Sequence, residues 1–307
     1  MKNFINIADI DNKNLRQIID RAKLQKKQRS NINKSAIDPK IILKDKILIM
    51  IFEKSSTRTR LSFELAMKQL GGQVLVLNPK DSHYGIGAES IHDTAKILSQ
   101  YGDIVMMRTH NHEHFLKFSK NLDIPIINGL TNLSHPCQIM SDIMTFEELK
   151  GPIKNKKIAW LGDGNNIVYS LIEAAVKFNF QLSIACPKKL SPNNKIIKWA
   201  KNKKARLVIT KDPAEAANAA DCVMTDKWTS MGDEKNKKKK KKLLKPYQVN
   251  KKIMKLAKND AIFMHCLPAN RGEEVTNEVM DGKQSAIWLE AFNRIHIQKS
   301  IIQWCLK

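Results

Sequence analysis

Residues 46–60, KILIMIFEKSSTRTR, contain the pattern that decides the fold class of this chain. The apolar run Ile47 to Phe52 predicts a buried strand, and Thr57 to Leu70 predicts a helix that stops at two glycines. The helix residues expected to face inward are Leu61, Leu65 and Met67. A buried strand that leads directly into a helix is typical of a βαβ unit in a parallel sheet.

The same alternation of short apolar runs and helical periodicity continues to the end of the chain. It predicts an α/β protein with two doubly wound parallel-sheet domains joined by a helix, and with a C-terminal helix closing the chain. The expected first domain covers residues 1–150 and the expected second domain covers 151–285. The C-terminal helix, about 286–307, is expected to pack back on the first domain.

Composition narrows the functional class. The chain has 307 residues, of which 42% are hydrophobic and 27% charged, which fits a folded globular protein rather than a disordered one. The apolar runs are much shorter than a membrane span, so no membrane association is expected. The five cysteines form no CxxC pair, and no secretory signal is evident. We therefore expect reduced thiols, a cytoplasmic location and no metal site.

The net charge of +23 suggests nucleic-acid binding as one alternative. However, the lysines are scattered along the chain and aromatic residues make up only 6%, so no nucleic-acid partner is expected. The run Lys237 to Lys242 is the exception. Because the segment from Gly232 to Lys245 is charged and poor in apolar residues, we expect a solvated flexible loop there, with a basic patch for anions as the alternative.

The segment Ser55 to Arg60 predicts a phosphate site. It follows a buried strand and opens a helix, and a helix N-terminus offers unpaired N–H groups and partial positive charge to an anion. The hydroxyls of Ser56, Thr57 and Thr59 together with two arginines exceed what simple N-capping requires. The segment has no Walker-type glycine loop.

Four further segments place polar residues after predicted strands. His135 and Gln138 share one face of the first turn of a helix, where both can donate to a carbonyl or phosphate oxygen. Gly162 to Asn166 begins like a dinucleotide fingerprint, but Ile167 replaces the last glycine and the expected acidic residue is missing. Asp226 could hold a cationic amine, and His265-Cys266-Leu267-Pro268 ends a strand at the same sheet edge.

Taken together, these segments resemble the aspartate/ornithine carbamoyltransferase family, and its ornithine branch in particular. The matching motifs are Ser56 to Arg60, His135 to Gln138, Gly162 to Asn166, Asp226 through Ser230-Met231-Gly232, and His265 to Pro268. They occur in the family's order over nearly the whole chain. The aspartate branch typically has Pro-Leu-Pro-Arg near the position of Cys266.

The resemblance implies a role for each matching residue. Catalysis would involve Cys266, Arg108 and His135. The residues expected to contact carbamoyl phosphate are Ser56, Thr57, Arg58, Thr59, Arg108, His135, Gln138, Cys266, Leu267 and Arg294. The residues expected to contact ornithine are Asn166, Asp226, Ser230 and Met231.

The resemblance also implies the reaction and the assembly. The carbamoyl group of carbamoyl phosphate would pass to the δ-amine of L-ornithine, giving citrulline and phosphate in arginine biosynthesis, without a cofactor. A homotrimer or a multiple of trimers is implied, with the loop from Asp81 to Gly87 reaching a neighbouring site. The Leu267-Pro268 bond is expected to be cis. Putrescine, N-acetylornithine or aspartate as acceptor, and a nucleic-acid-binding protein on the same fold, are the alternatives.

Overall fold

The computed structural model describes residues 1–78, 89–229 and 237–307. The chain forms two compact units. The first unit comprises Met1–Met140 together with Asn293–Lys307, and the second comprises Ser141–Phe292.

The first unit contains a four-stranded parallel sheet in the order β2-β1-β3-β4. Its strands are β1 (Ile47–Phe52), β2 (Gln73–Leu77), β3 (Ile104–Arg108) and β4 (Ile126–Leu130). Its helices are α1 (Asn12–Gln28), α2 (Thr57–Gln69), α3 (Ile91–Tyr101) and α4 (His112–Asn121). The apolar side chains of β1 and β3 are buried between these helices, as a parallel sheet requires.

The second unit contains a five-stranded parallel sheet in the order β7-β6-β5-β8-β9. Its strands are β5 (Lys157–Leu161), β6 (Gln181–Ala185), β7 (Leu207–Thr210), β8 (Cys222–Thr225) and β9 (Ile262–His265). Its helices are α6 (Asn166–Phe178), α7 (Asn194–Asn202), α8 (Pro213–Ala217), α9 (Lys237–Leu244), α10 (Lys251–Leu256) and α11 (Asn277–Met280).

Two further helices belong to both units. They are α5 (Pro136–Lys150) and α12 (Ile287–Cys305), and the division between the units falls within each of them. The two parallel-sheet α/β units and the C-terminal helix confirm the predicted fold class. The predicted domain boundaries at residues 150 and 285 lie several residues from these divisions and remain predictions.

Each sheet reverses its strand order at one point. In the first unit the chain passes from β1 to β2 on one side and to β3 on the other. In the second it passes from β5 to β6 on one side and reaches β8 on the other. Open α/β sheets bind ligands beside the carboxyl ends of the strands at such a point. The segments after β1, β3, β5, β8 and β9 are therefore where a site is expected.

The expectation for α2 was wrong at one residue. Leu61 is 52% exposed, whereas Phe63, Ala66 and Met67 are fully buried. Residues 63, 66 and 67 share one helix face at i, i+3 and i+4, and Leu61 lies outside that face.

The expected flexible loop over the lysine run was also wrong, because Lys237–Leu244 forms α9. Lysine has a high intrinsic helix propensity, and the helix ends in the fully buried Leu244. Helix α1 was not predicted, although Asp11 caps it and Leu15, Ile18, Ile19 and Ala22 supply its buried face.

No helix in the described parts of the chain combines the length and apolar character needed to cross a membrane. All five cysteines are free thiols.

Candidate active site

The register of the first sheet brings two predicted site segments together. Phe52, the last residue of β1, pairs with Arg108, the last residue of β3. The chain leaves β1 through Ser55 and Ser56 and enters α2. Ser56 caps that helix by accepting a hydrogen bond from the Thr59 backbone N–H at 3.3 Å. The start of α2 therefore lies beside the Arg108 side chain, at the strand-order reversal of this sheet.

The Thr59 hydroxyl is the centre of a polar cluster. Its Oγ1 lies 3.0 Å from Ser56 Oγ, 3.0 Å from Arg108 Nη1 and 3.0 Å from Arg294 Nη2. Thr59 is fully buried and Arg294, on α12, is 3% exposed. Two guanidinium groups thus converge on one hydroxyl beside a helix N-terminus, an arrangement suited to a dianionic phosphate.

His135 and Gln138 add two buried polar side chains at the start of α5, where His135 is 4% and Gln138 1% exposed. Burial holds the pKa of His135 well below its usual range, and the charges of Arg294, Arg108 and Arg58 lower this pKa further. His135 is therefore a neutral imidazole at neutral pH. It can donate one N–H to a substrate oxygen without adding a charge.

The second unit brings three other side chains together through adjacent strands. Strands β8 and β9 pair at Thr225 and His265, so the residues that follow them, Asp226 and Cys266, are neighbours. Cys266 Sγ donates to Asp226 Oδ1 at 3.0 Å. Asn165, which caps α6 after β5, donates through Nδ2 to Asp226 Oδ2 at 2.8 Å. One carboxylate is thereby fixed from both sides.

The Cys266 thiol is held in its protonated form. Desolvation raises the pKa of Cys266 well above its usual range, and the charge of Asp226 and the hydrogen bond to it raise this pKa further. In this arrangement Cys266 acts as a hydrogen-bond donor to Asp226 and is a poor candidate for a base at neutral pH.

The segment around Cys266 is anchored by its neighbours. The His265 backbone N–H donates to Glu290 Oε2 at 2.9 Å, and His265 Nδ1 accepts from the Leu267 backbone N–H at 2.9 Å. The Leu267-Pro268 bond is cis, which confirms the prediction.

Two family models match this chain. The "Aspartate/ornithine carbamoyltransferase, carbamoyl-P binding domain" matches residues 2–148, and the "Aspartate/ornithine carbamoyltransferase, Asp/Orn binding domain" matches residues 154–305. The chain belongs to the aspartate/ornithine carbamoyltransferase family.

Relatives within this family match over nearly their whole length. The ornithine carbamoyltransferase of Rhodopseudomonas palustris is 50% identical over 305 residues, which cover 99% of this chain and 96% of that protein. The enzyme of the same name from Brucella suis is 47% identical over 307 residues, covering 100% of this chain and 96% of that protein.

Solved structures in the family share the fold. The ornithine carbamoyltransferase of Pyrococcus furiosus has a TM-score of 0.92 and 41% identity, and the match covers 98% of this chain and 96% of that chain. The anabolic ornithine carbamoyltransferase of Campylobacter jejuni has a TM-score of 0.90 and 37% identity, and the match covers 98% of each chain.

The structure places the predicted residues in two clusters. Ser56, Thr59, Arg108 and Arg294 are brought into contact in the first unit. Thr57 and Arg58 lie beside them in the first turn of α2, where Thr57 is exposed and Arg58 half-buried. Asp226 and Cys266 are in contact in the second unit. Leu267 follows directly, and Asn166 is the first residue of α6. Ser230, Met231 and the segment from Asp81 to Gly87 lie outside the described residues.

The second cluster also has the composition of a possible metal site. Asp226, His265 and Cys266 each bring one potential ligand atom to within 4.8 Å of the others. The thiol of Cys266, however, donates to Asp226, and His265 Nδ1 is engaged by a backbone N–H. We predict from the sequence that the reaction uses no metal.

Sequence reasoning missed two contacts of the second cluster. Asn165 holds Asp226, although only its neighbour Asn166 was assigned to ornithine binding. Asp163, in the same loop, forms an ion pair with Lys240 of the lysine run at 2.7 Å. The Gly-Asp-Gly-Asn-Asn motif predicted a loop at this position. Which residues its side chains contact depends on the tertiary structure, so the motif alone could not identify them.

Proposed function

We propose that this chain is an ornithine carbamoyltransferase, which transfers the carbamoyl group of carbamoyl phosphate to the δ-amine of L-ornithine. The observation that carries the proposal is the convergence of Arg108 and Arg294 on the Thr59 hydroxyl at the N-terminus of α2. Thr59 and Arg108 lie in the part of the chain that matches the carbamoyl-P binding domain, and Arg294 of α12 completes this buried anion site. Relatives about half identical to this chain carry the same enzyme name.

Carbamoyl phosphate would bind in the first cluster. The start of α2, with Ser56, Thr57, Arg58 and Thr59, would hold its phosphate. Arg108 and Arg294 would bridge phosphate and carbamoyl oxygens, while His135 and Gln138 would polarise the carbamoyl group. Cys266 and Leu267 would border the reacting amine.

Ornithine would bind in the second cluster. Asp226 offers a carboxylate, already oriented by Asn165 and Cys266, to the cationic α-amino group. Asn166, Ser230 and Met231 would contact the remaining α-amino and α-carboxylate groups. Because two donors hold the Asp226 carboxylate in place, it is well suited to bind the α-amino group of ornithine and leave the δ-amine free to react.

In the reaction, the lone pair of the neutral δ-amine attacks the carbamoyl carbon and the bond from that carbon to the phosphate oxygen breaks. Charge develops on the carbamoyl oxygen, where Arg108 and the neutral His135 can donate hydrogen bonds. The departing phosphate keeps the bonding electrons and stays beside the arginines, and it can accept the proton lost by the amine. Positioning of the two substrates supplies much of the rate gain.

The first unit also supports the proposal of a homotrimer. Leu61 of α2 is 52% exposed and Leu75 of the edge strand β2 is 47% exposed. Exposed apolar side chains near a sheet edge are suited to contact another copy of the chain. Sedimentation velocity of the purified protein would test this assembly, since a trimer has three times the mass of the 35.0 kDa chain.

We further propose a cytoplasmic, cofactor-free enzyme of arginine biosynthesis. Free thiols at all five cysteines fit a reducing compartment. The relative from Campylobacter jejuni, named anabolic, supports the biosynthetic direction.

The experiment is an assay of carbamoyl transfer from carbamoyl phosphate with ornithine, putrescine, N-acetylornithine and aspartate as separate acceptors. Citrulline formation with ornithine as the preferred acceptor is the expected result. Transfer only to another acceptor would overturn the assignment of ornithine and keep that of carbamoyl phosphate. No transfer to any acceptor by folded protein would overturn both.

A further inference from the structure

Helix α9 contains the lysine run, and two of its lysines are committed to ion pairs. Lys240 Nζ lies 2.7 Å from Asp163 Oδ2, with the two side chains only 18% and 15% exposed. The next residue, Lys241, pairs with Glu273. In contrast, Lys237, Lys238 and Lys239 are exposed. Consecutive residues therefore tie the helix to two different segments, and the other lysines of the run are exposed.

The partner of Lys240 belongs to the loop that holds the Asp226 carboxylate. Asp163 lies two residues before Asn165, whose side chain caps α6 and donates to Asp226 Oδ2 at 2.8 Å. The Asp163 carbonyl accepts from Trp160 Nε1 at 3.0 Å. Between them, Gly164 packs so closely that a Cβ there would lie 2.4 Å from the Leu190 carbonyl oxygen. The backbone of this loop is thus fixed by close packing at Gly164, while the Asp163 side chain is held by the ion pair with Lys240.

The second tether reaches the segment that follows Cys266. Glu273, the partner of Lys241, also accepts through its carbonyl from Gln248 Nε2 at 2.8 Å. It lies seven residues beyond Cys266, the other donor to Asp226. Adjacent lysines of α9 therefore contact the loop that contains Asn165 and the segment that follows Cys266.

We propose that Lys240 is a positioning residue for the amino-acid substrate, because its ion pair with Asp163 orients the loop through which Asn165 aims the Asp226 carboxylate. This inference rests on the proposed function, since it takes Asp226 to receive the α-amino group of ornithine. It also assigns a role to a residue of the lysine run, which takes no part in the anion site of the first unit.

Neutralising Lys240 has two consequences for ornithine binding. The loop loses the contact that fixes its outer side, so that Asn165 no longer restricts Asp226 to one orientation. The Asp163 carboxylate also loses a cationic partner and becomes a second attraction for the substrate amine. Both effects weaken ornithine binding and leave carbamoyl phosphate binding unaffected.

The test compares Lys240→Met with Lys239→Met, a matched substitution at an exposed position of the same helix. Methionine and lysine have similar helix propensities, so neither variant changes the intrinsic stability of α9. We expect Lys240→Met to raise KM for ornithine about tenfold, the lower end of what loss of a charged hydrogen bond costs. KM for carbamoyl phosphate should change by less than about twofold, and Lys239→Met should match the wild type.

Two further variants separate positioning from general loss of structure. Lys240→Arg keeps the charge and should restore most of the ornithine affinity. Asp163→Asn should raise KM for ornithine as Lys240→Met does, and the double variant should be no worse than either single one, because the pair acts as a unit. Unchanged KM for ornithine in Lys240→Met, or equal effects of Lys239→Met and Lys240→Met, would overturn the proposal.

The outcome is distinguishable from failure of the proposed function. If the wild-type chain forms no citrulline, the assignment as an ornithine carbamoyltransferase fails. The inference is then decided by calorimetric titration of ornithine into wild-type and Lys240→Met protein in the presence of phosphate. Loss of affinity in the variant supports the positioning role, and equal affinity or no binding to either protein overturns it. A second variant, Asp163→Asn, replaces Lys240→Met if the latter fails to fold.

Discussion

Thr59 shows how a single small residue can organise a site. Its hydroxyl receives two arginine side chains that come from β3 and from α12, elements far apart in the sequence. Because Thr59 is fully buried, these contacts are shielded from water, and the guanidinium groups are held in position before any substrate arrives.

We expect Thr59→Val, which keeps the shape and removes the hydroxyl, to raise KM for carbamoyl phosphate by about 10- to 100-fold, because two charged donors lose their shared partner. KM for ornithine should stay within about threefold and serves as the internal control. Steady-state kinetics with each substrate varied separately measures both values. A variant with unchanged KM for carbamoyl phosphate would show that Thr59 does not organise this site.

Cys266 provides the second test at the residue scale. Because the raised pKa of this thiol keeps it protonated, native protein should react slowly with iodoacetamide at pH 8, whereas unfolded protein should be alkylated at all five cysteines. Mass spectrometry of digested protein locates the modified residues. Rapid alkylation of Cys266 in the native state would indicate a thiolate and would reopen a role as base.

At the scale of elements, helix α12 depends on a buried ion network to hold its C-terminal part in the first unit. Asp38 accepts from both Arg29 and Lys299, and Lys299, on α12, is fully buried. Lys299 also donates to Gln69 Oε1 at 3.2 Å, and Trp304 Nε1 donates to Asn14 Oδ1 at 2.9 Å. These contacts fix the helix that delivers Arg294 to Thr59.

Asp38→Asn should lower the free energy of unfolding by about 3–5 kcal/mol, because it leaves two buried cations without their shared anion. The control is Asp20→Asn, which breaks an exposed pair with Arg16 on α1 and should cost less than about 1 kcal/mol. Urea unfolding monitored by tryptophan fluorescence measures both. Equal effects of the two substitutions would contradict the importance of the buried network.

At the scale of the whole molecule, stability is expected to depend on pH through buried histidines. Burial lowers the pKa of His296 to about 3, and the charges of Lys299, Lys26 and Arg29 contribute, opposed by Asp38. In the unfolded chain this histidine has an ordinary pKa near 6.5. Between these two values the unfolded state binds a proton that the folded state does not, so stability falls as the pH is lowered from about 6.5 towards 3.

When the pH is lowered from 7.5 to 5, we expect His296 to reduce the free energy of unfolding by about 2 kcal/mol. His135, whose pKa is also lowered, should reduce it further. His296→Gln, which does not titrate in this range, should reduce this difference between the two pH values. Urea unfolding at both pH values tests the expectation. A pH difference of the same size in the variant would show that His296 does not contribute.

Sequence alone was sufficient for the alternation of strands and helices, the C-terminal helix and the motifs after β1, β5 and β9. These features depend on local hydrophobic periodicity and on residue types that a short segment carries by itself. The cap at Ser56, for example, is formed within four residues, and it could be predicted without any knowledge of the rest of the fold.

Only the tertiary structure decided which of these groups contact one another. It joined Arg294 to Thr59 across 235 positions, exposed Leu61 on a helix that was expected to bury it, and turned a lysine run into a helix tied to Asp163. Such contacts depend on strand order and register and on which helix face meets the sheet. Those are set by packing over the whole unit, so the charge and periodicity of a short segment do not specify them.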